Sequence, residues 1–477
     1  MKVSTLALIL GTTFMLGACG DDSADDPELN LENVQKVLDT NADIALAAYG
    51  DAVTTAEALK TAIAEFKADT TQANLDACKK AWLVSREPYG QTEVYRFRNS
   101  PIDSTDYESE DGPEGDINAW PLGEALIDYV AVNESDFDTD QVGVISSSTP
   151  VNDGGPIDAE FAQNYPSENI IGNTDIVIDA DLLANTATAD DEHDVIAGYH
   201  AIEFILWGQD LNQDAGVTDG SDRNKAVKTY EAPNLAVGGQ RPLSDFTEEN
   251  LGERRIQFLE VAVDKLIEDL KQVKSGWEDG ADYRTAFTAI DSQEEARQKL
   301  AEIMTGMGTL SEGELAGERM QIAFSANSQE DEHSCFSDNT HRDIWLNAEG
   351  VSNSYFGVYA GYDSSFDGSD DATTSSVDGY GIDQLLEDEG LSDLATKLEE
   401  ALATTAEGYE SIDAEARDGK PFDVLIESTD SSSISNTIIA LNAQSAVITE
   451  IADALGLGTV VDEEASECDT TDPASEC

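Results

Sequence analysis

A histidine and a glutamate stand three residues apart in an otherwise apolar segment of the chain. Residues 198–207 read GYHAIEFILW, and on a helix His200 and Glu203 lie on the same face, because residues three apart are neighbours there. Burying either side chain alone is costly, so they must pair, find buried partners or bind a cation. A metal site needs three or more ligands, and this motif supplies at most two of them.

A second group combines aromatic and charged side chains over residues 82–93, which read WLVSREPYGQTE. If the segment is helical, Trp82, Arg86, Tyr89 and Glu93 form one stripe, since they are separated by four, three and four positions. A stripe of this kind is typical of a contact between domains as well as of a catalytic surface. The sequence leaves both interpretations open.

A third group lies at residues 333–343, HSCFSDNTHRD. It holds two of the four histidines of the chain, His333 and His341. The polar residues between them are typical of a loop or a helix start, and Asp338 or Asn339 could cap a helix that follows. The cluster therefore predicts either a simple helix start or further ligands for the first motif.

Other common signatures are weak or missing. Residues 210–214, DLNQD, imitate the start of a calcium loop, but Ala215 stands where glycine is required and Ser221 where a bidentate glutamate is expected. The chain contains no His-Glu-x-x-His motif, no Gly-x-Ser-x-Gly elbow and no phosphate loop. The usual hydrolase and nucleotide-binding signatures are thus absent from the sequence.

The elements that must position these groups are helices. Apolar residues recur at three- and four-residue intervals in several segments, and no segment shows the sustained two-residue alternation that is typical of strands. The fold class is therefore predicted to be mainly α. The predicted helices are 31–66, with an interruption near Asn41, 75–94, 195–206, 251–273, 296–310, 385–402 and 434–455.

Long irregular acidic loops separate these helices, at residues 99–118, 146–174 and 362–379. Loops of this length are usually functional or partly disordered. Residues 231–245 carry two prolines and two glycines and are interpreted as a linker between two helical-bundle domains. The predicted organisation is an N-terminal domain at 29–235, a C-terminal domain at 236–460 and an acidic tail at 461–477.

The N-terminus is typical of an exported lipoprotein. Residues 1–18 have a charged start, a short apolar run and a Leu-Gly-Ala end, which predicts a signal peptide, with Cys19 as the lipid-bearing residue of the mature chain. Residues 19–28 are predicted to be a flexible tether. No other stretch is expected to approach the length of a membrane span. Gly20 favours the outer membrane of the cell envelope, on either its periplasmic or its surface face.

The charge and the cysteines narrow the possible partners and compartments. The formal charge of −72 repels phosphate backbones, which excludes nucleic acid as a partner. Apart from the lipid-bearing residue, four cysteines remain in an oxidising compartment. Cys468 and Cys477 could close a small loop, and Cys78 and Cys335 are either a long-range disulfide or buried thiols.

Taken in order, these clusters resemble the imelysin family, also called the M75 peptidase or insulin-cleaving metalloprotease family, in its iron-regulated lipoprotein branch. The resemblance covers roughly residues 29–457. One departure is Gly90, where many members carry a glutamate. The matching residues are Gly198, His200 and Glu203; Trp82, Arg86, Tyr89, Thr92 and Glu93; the run 334–341; and the segments 207–210 and 317–320.

The resemblance implies two mainly helical domains with a site between them, and a link to iron acquisition. The first hypothesis is a surface-anchored lipoprotein that binds iron or zinc through His200, Glu203, Glu93 and His341. The second is a metallopeptidase with Glu203 or Glu93 as general base, and the third is a non-enzymatic module that binds a protein or haem. Other residues expected near the site are Trp82, Arg86, Tyr89, Thr92, Arg96, Trp207, Ser337, Asp338 and Asn339.

Overall fold

A computed structural model gives the fold of most of the chain. Several predicted features lie outside the described residues: the signal peptide, Cys19, the segment 210–214 that resembles a calcium loop, and most of the linker. The model describes residues 27–106, 112–118, 120, 122–128, 169–186, 195–208, 238–239, 241–247, 251–329, 331–427, 431–461, 468–475 and 477.

The prediction of a mainly α fold is confirmed. Within the described residues, the strands are limited to one antiparallel pair, β1 Val358–Tyr359 and β2 Val377–Asp378. Strand β1 lies just before the predicted loop at 362–379, and β2 lies inside it. A π-helical segment, Leu310–Gln321, joins two α-helices. The α-helices are α1 Leu31–Ala68, α2 Gln72–Gly90, α3 Glu114–Ile117, α4 Glu124–Ile127, α5 Ala180–Thr186, α6 Gly198–Trp207, α7 Gly252–Gly276, α8 Asp282–Thr288, α9 Gln293–Thr309, α10 Ile322–Ala326, α11 Thr340–Phe356, α12 Ile382–Asp388, α13 Ser392–Arg417, α14 Phe422–Ile426 and α15 Ser432–Leu455.

Helix α1 is continuous where the sequence predicted an interruption. Asn30 caps it by accepting hydrogen bonds from the amides of Glu32 and Asn33. Asn41 is buried but satisfied, because its Nδ2 donates to Ser354 Oγ at 3.2 Å and its Oδ1 accepts from Arg98 at 3.3 Å. A polar residue with distant partners therefore occupies the core face without breaking the helix.

The predicted helix at 385–402 is two helices. Helix α12 ends at Asp388, and Gly390 has a φ of +78°, a conformation that favours glycine. The amide of Leu391 donates back to the carbonyl of Leu386 at 2.7 Å, which closes the end of α12. The apolar periodicity continues across this turn, so periodicity alone could not locate the break.

The long helices pack around one contiguous apolar core. Helix α1 lies against α2 and α7, helix α13 lies against α15, and α11 contacts both α2 and α13. Helix α7 follows the predicted domain boundary at 235, yet it packs on α1 and α6, which precede that boundary. The two-domain division stays a prediction.

Helix α15 has the length and composition of a membrane span, although the sequence analysis expected no such stretch after the signal peptide. It is the one helix among the described residues that is long and apolar enough to cross a membrane by length and composition, with a mean hydropathy of 1.3. Half of the most apolar stretch of this helix is buried in the protein. Gln444 Nε2 donates to Ser311 Oγ at 2.9 Å, and Ser445 Oγ donates to Glu312 Oε2 at 2.6 Å. Its apolar residues belong to the core against α13 and the π-helical segment, which accounts for its hydropathy.

The cysteines fall into two classes. Cys468 and Cys477 form a disulfide that closes a small C-terminal loop. Cys78 and Cys335 are both buried thiols and are not joined to each other. Burial raises the pKa of the Cys78 thiol to about 12, so this group is chemically inert at neutral pH.

Two buried ion pairs join α2 to α11, and the cation belongs to α2 in one pair and to α11 in the other. Arg86 Nε donates to Asp343 Oδ1 at 3.0 Å, and Arg342 donates to both oxygens of Glu87 at 2.9 and 2.8 Å. All four side chains are almost fully buried. Each helix contributes one cation and one anion, so the interface is neutral although every member is charged.

We expect Glu87→Ala to lower the free energy of unfolding by about 3–5 kcal/mol, because Arg342 would keep its charge in the core without its bidentate partner. The matched control is Asp264→Ala, which removes an exposed partner of Lys60 and should cost less than about 1 kcal/mol. Denaturant unfolding of both variants measures the difference. Equal losses in the two variants would contradict the importance of the buried pair.

Candidate metal centre

Helix α6 brings the first motif into the core, and its first glycine is required by packing. Gly198 has a φ of +81°, and a Cβ on it would lie 2.4 Å from the carbonyl oxygen of Ile117. The backbone of α6 therefore lies directly against α3. This contact places His200 and Glu203 in the interior, where neither side chain is exposed.

His200 and Glu203 form a pair with one nitrogen left over. Nδ1 of His200 lies 2.8 Å from Glu203 Oε2, and the amide of Ser337 donates to Glu203 Oε1 at 2.9 Å. Nε2 of His200 is buried without a hydrogen-bond partner among the described residues. When Glu203 is ionised, the proton of the neutral imidazole lies on Nδ1 and Nε2 presents a lone pair; when Glu203 is protonated, its hydroxyl donates to Nδ1 and the proton of the imidazole lies on Nε2.

The electrostatic surroundings keep this imidazole neutral. Burial, followed by the positive charges of Arg86 and Arg319, lowers the pKa of His200 well below its usual value. Burial also raises the pKa of Glu203 well above its usual value, although the hydrogen bonds from Ser337 oppose that shift. A neutral imidazole is the protonation state that binds a metal ion.

A second imidazole and an indole lie against His200. The ring of His333 is 4.9 Å from that of His200, and the ring of Trp120 is 5.0 Å from it, both edge to face. His333 Nε2 lies 3.5 Å from Arg86 Nη2, which can donate to it. Burial and the nearby cations, Arg319 first among them, lower the pKa of His333 well below its usual value.

A cavity of about 350 Å³ is lined in part by the rings of Trp120 and His333. Its wall carries four carboxylates against two guanidinium groups, so it favours a cation over an anion. His200 lies behind the cavity wall, against Trp120 and His333. The cavity is lined by Arg96, Glu114, Asn118, Trp120, Glu314, Glu318, Arg319, Ile322, Asp331 and His333.

Glu93, a predicted ligand, is held by arginines at the base of this cavity. Its Oε2 accepts from Arg319 at 2.9 Å and from Arg96 at 3.2 Å, and its Oε1 lies 3.5 Å from Asn118 Nδ2. Burial disfavours the ionised form, but the charges of Arg319 and Arg96 outweigh it and lower the pKa of Glu93 to about 2. Both of its oxygens are thus occupied by protein donors.

Asp343 connects the site to the ion pairs between α2 and α11. Besides Arg86, it accepts hydrogen bonds from Ser334 Oγ and, at 3.2 Å, from Asn339 Nδ2. The run of residues that follows His333 is therefore folded around one carboxylate. The same carboxylate positions the guanidinium group that contacts His333.

The other predicted ligand, His341, has a different partner. Its Nδ1 lies 2.8 Å from Asp413 Oδ1 on α13, and Asp413 is also held by Arg417.

Asp338 has a φ of +58° and accepts from the amide of Gly238 at 2.9 Å. Oxygen atoms of Glu332, Asp338 and Asp423 lie within 4.8 Å of one another, which makes these three buried carboxylates a separate acidic group.

The predicted aromatic residues of α2 pack against α6. Trp82 Nε1 donates to the carbonyl of Tyr199 at 2.9 Å, and the Trp82 ring lies 5.3 Å from that of Trp207. Tyr89 lies 4.9 Å from Tyr199, and Thr92 Oγ1 donates to the carbonyl of Tyr89 at 2.7 Å where α2 ends. These residues fix the helix that carries His200.

Sequence reasoning did not assign His333, Trp120, Asn118 or Arg319 to the site. His333 stood in the third cluster, and its density of histidines was the signal available. Arg319 stood in a segment that matched the family, whereas nothing in the pattern around Trp120 or Asn118 pointed to the site. They come from parts of the chain that only the folded structure brings together.

The departure at Gly90 has a packing reason. A Cβ at this position would lie 2.6 Å from Leu346 Cβ, so a glutamate would push α11 away from α2. Glycine here lets the two helices approach closely enough for their ion pairs.

The sequence of most of the chain matches one family model. The model of the imelysin family, peptidase M75, matches residues 45–448. The chain belongs to the imelysin family. Among imelysin-related sequences, iron-regulated protein A of Synechococcus elongatus is 28% identical over 112 residues, which are 24% of this chain and 28% of that protein.

Two crystal structures share the fold. An iron-regulated protein A precursor from Parabacteroides distasonis is 14% identical, with a TM-score of 0.57 and coverage of 91% of this chain and 98% of its own. An imelysin-like protein from Psychrobacter arcticum is 15% identical, with a TM-score of 0.50 and coverage of 91% and 99%. At these identities the likeness concerns the imelysin fold and not its ligands.

We expect the destabilisation by Glu93→Gln to depend on pH. The pKa of Glu93 is lowered in the folded protein, so the stability that its charge contributes is present above about pH 4.5 and is lost as the pH falls towards about 2. The loss at pH 7 should be about 3 kcal/mol and should shrink steadily on acidification. Denaturant unfolding with a chelator present, from pH 7 to pH 3, measures it.

The control for this experiment is Glu57→Gln, which changes an exposed carboxylate that pairs with Lys271. Its small effect should stay nearly constant over the same pH range. A destabilisation by Glu93→Gln that is independent of pH would show that the charge of Glu93 does not stabilise the fold.

Proposed function

We propose that this imelysin-family protein is a lipid-anchored envelope protein that binds a metal ion, iron or zinc, in connection with iron acquisition. The site would lie beside the cavity, with His200 Nε2 as its imidazole ligand and Glu203 behind it. The geometry supports binding better than it supports a hydrolytic reaction.

One observation carries the proposal. A buried imidazole nitrogen without a partner is costly, yet His200 Nε2 is in this situation while Nδ1 is fixed by a carboxylate. Histidines that bind metals usually donate their other ring N–H to a carboxylate or a carbonyl, which fixes the tautomer and raises the basicity of the ligating nitrogen. The pair therefore fits a metal site, with Glu203 as orienting partner of the ligand.

His200 Nε2 is one ligand, and the remaining ligands would come from carboxylates of the cavity wall and from water. Imidazole suits iron and zinc, and the excess of carboxylates on the wall attracts a cation. Bound there, the metal would supply a positively charged centre for oxygen ligands. Because His200 lies behind Trp120 and His333, one of these rings must shift before an ion can reach Nε2.

Two features of the site argue against a peptidase. A general base needs a carboxylate or imidazole that can reach a water molecule. Glu203 accepts from Ser337 and contacts His200, whereas Glu93 is held by Arg319 and Arg96. Each oxygen of both predicted catalytic carboxylates already has a protein partner.

The link to iron rests on relatives and on the predicted anchor. The protein from Synechococcus elongatus is named iron-regulated protein A, and so is the precursor from Parabacteroides distasonis. Lipid on Cys19 would hold the protein at the envelope, where it could pass iron to an uptake partner.

We expect His200→Ala to abolish stoichiometric binding of Fe²⁺ and Zn²⁺, because it removes the proposed imidazole ligand. Glu203→Gln should weaken binding by about 10–100-fold, since it leaves the ligand in place but removes the charge behind it. His341→Asn is the matched control and should retain binding, because His341 pairs with Asp413. Titration calorimetry and metal analysis of purified protein measure all three.

Circular dichroism should confirm that each variant is folded. Binding that survives unchanged in folded His200→Ala would rule out this site. Loss of binding in His341→Asn would instead show that the third cluster contributes a ligand.

We expect Cys19→Ser to release the protein from the membrane. The substitution removes the thiol that would carry the lipid, and a single acylated residue is the only proposed attachment. Growth with an alkyne fatty acid, followed by fractionation, should show label and membrane association in the wild type and neither in the variant. A labelled or membrane-bound Cys19→Ser protein would contradict the predicted anchor.

A further inference from the structure

The π-helical segment at residues 310–321 has two functional faces. Glu314, Glu318 and Arg319 line the cavity, whereas Gln321 is fully buried and contacts the C-terminal loop. Helices of this type are rare and are frequently found at functional sites. The segment is flanked by α-helix on both sides, so the chain could continue as α-helix through it. We therefore expect side-chain contacts on both faces to stabilise the π-helical conformation.

Gln321 is the contact on the second face. Its Nε2 lies 3.1 Å from the carbonyl oxygen of Asp469 and 3.3 Å from the carbonyl oxygens of Asp472 and Ser475. Three carbonyls of the C-terminal loop, residues 468–477, thus converge on one buried amide. Two turns within that loop, closed by the amides of Asp472 and Ser475 at 2.9 and 2.8 Å, give the carbonyls this orientation.

A second contact places the loop between two elements of the core. Asn442 Nδ2 on α15 donates to Thr470 Oγ1 at 2.9 Å, and Thr470 is itself buried. The loop therefore touches both α15 and the end of the π-helical segment. The disulfide between Cys468 and Cys477 holds its two ends together.

Without that bond, only hydrogen bonds and packing would hold the loop in its present conformation. A disulfide acts mainly by restricting the alternatives to the ordered loop. Opening the ring would let the carbonyls of the loop move independently. Gln321 would then lose the acceptors that fix it.

We propose that the C-terminal loop is a redox-sensitive brace for the cavity wall. While the disulfide is closed, the loop holds Gln321 and, through it, the segment that carries Glu314 and Arg319. Reduction releases the segment and weakens cation binding in the cavity. The part that concerns cation binding rests on the proposed function, whereas the bracing of the segment does not.

The reduction can be carried out with a phosphine. The phosphine attacks one sulfur and the S–S bond breaks; water then supplies the oxygen of the phosphine oxide and the two protons of the thiols. Cys78 and Cys335 are already thiols, so the C-terminal disulfide is the target within the described part of the chain.

The first experiment is hydrogen exchange of the full chain, oxidised and phosphine-treated. Peptides covering 310–326 should exchange about tenfold faster after reduction, because contacts that order the segment are lost. Peptides covering α7 should exchange at an unchanged rate. The contacts of Arg319 with Glu93 and Asn347 persist on the cavity face, so loosening rather than unfolding is expected.

Two variants separate the loop from the reagent. The double variant Cys468→Ser and Cys477→Ser, and the single variant Gln321→Leu, should reproduce the faster exchange without phosphine. Ala474→Ser, an exposed change in the same loop, is the matched control and should behave as the wild type. If the double variant does not fold, reduction of the wild type and Gln321→Leu still decide the question.

The second experiment measures the affinity for Zn²⁺ alone in the oxidised and reduced forms. A weakening of about threefold or more on reduction of the wild type and of Ala474→Ser, with no further change when phosphine is added to the double variant, supports coupling to the cavity. If neither form binds Zn²⁺, the proposed metal function fails while the exchange data still judge the brace. Unchanged exchange of 310–326 after reduction and in Gln321→Leu would overturn the proposal.

Discussion

The paired charges between α2 and α11 are the constraint on which the site depends. Arg86 with Asp343 and Glu87 with Arg342 are buried, so removal of any one member leaves a charge in the core. The glycine at position 90 permits the close approach that these bonds need. A shift of either helix along its axis would separate both ion pairs and leave four charges in the core without their partners.

From this interface, order spreads to the candidate metal centre through side chains that have more than one role. Asp343 holds Arg86 and the backbone run after His333, and Arg86 in turn contacts His333. The amide of Ser337, in the same run, fixes Glu203. The orientation of the His200 imidazole is therefore a consequence of how α2, α6 and α11 meet, and not of the motif on α6 alone.

The amphipathic periodicity predicted the long helices well, because burial of one face is a local property of the sequence. It missed features with non-local causes: Asn41 is tolerated through Ser354 and Arg98, and Gly390 splits a periodic segment. In the site, His200 and Glu203 were predicted as neighbours, and the structure pairs them. The engagement of Glu93 by Arg319 depends on residues that are distant in the chain, and no spacing rule could reveal it.

Anomalous diffraction from crystals of the protein soaked with Zn²⁺ or Fe²⁺ would show directly where a metal ion binds. We predict one strong peak at about 2.0–2.2 Å from His200 Nε2, beside the cavity. The same soak of His200→Ala crystals should show no peak there. A peak among Glu332, Asp338 and Asp423, or a cavity without metal at saturating concentration, would contradict the account.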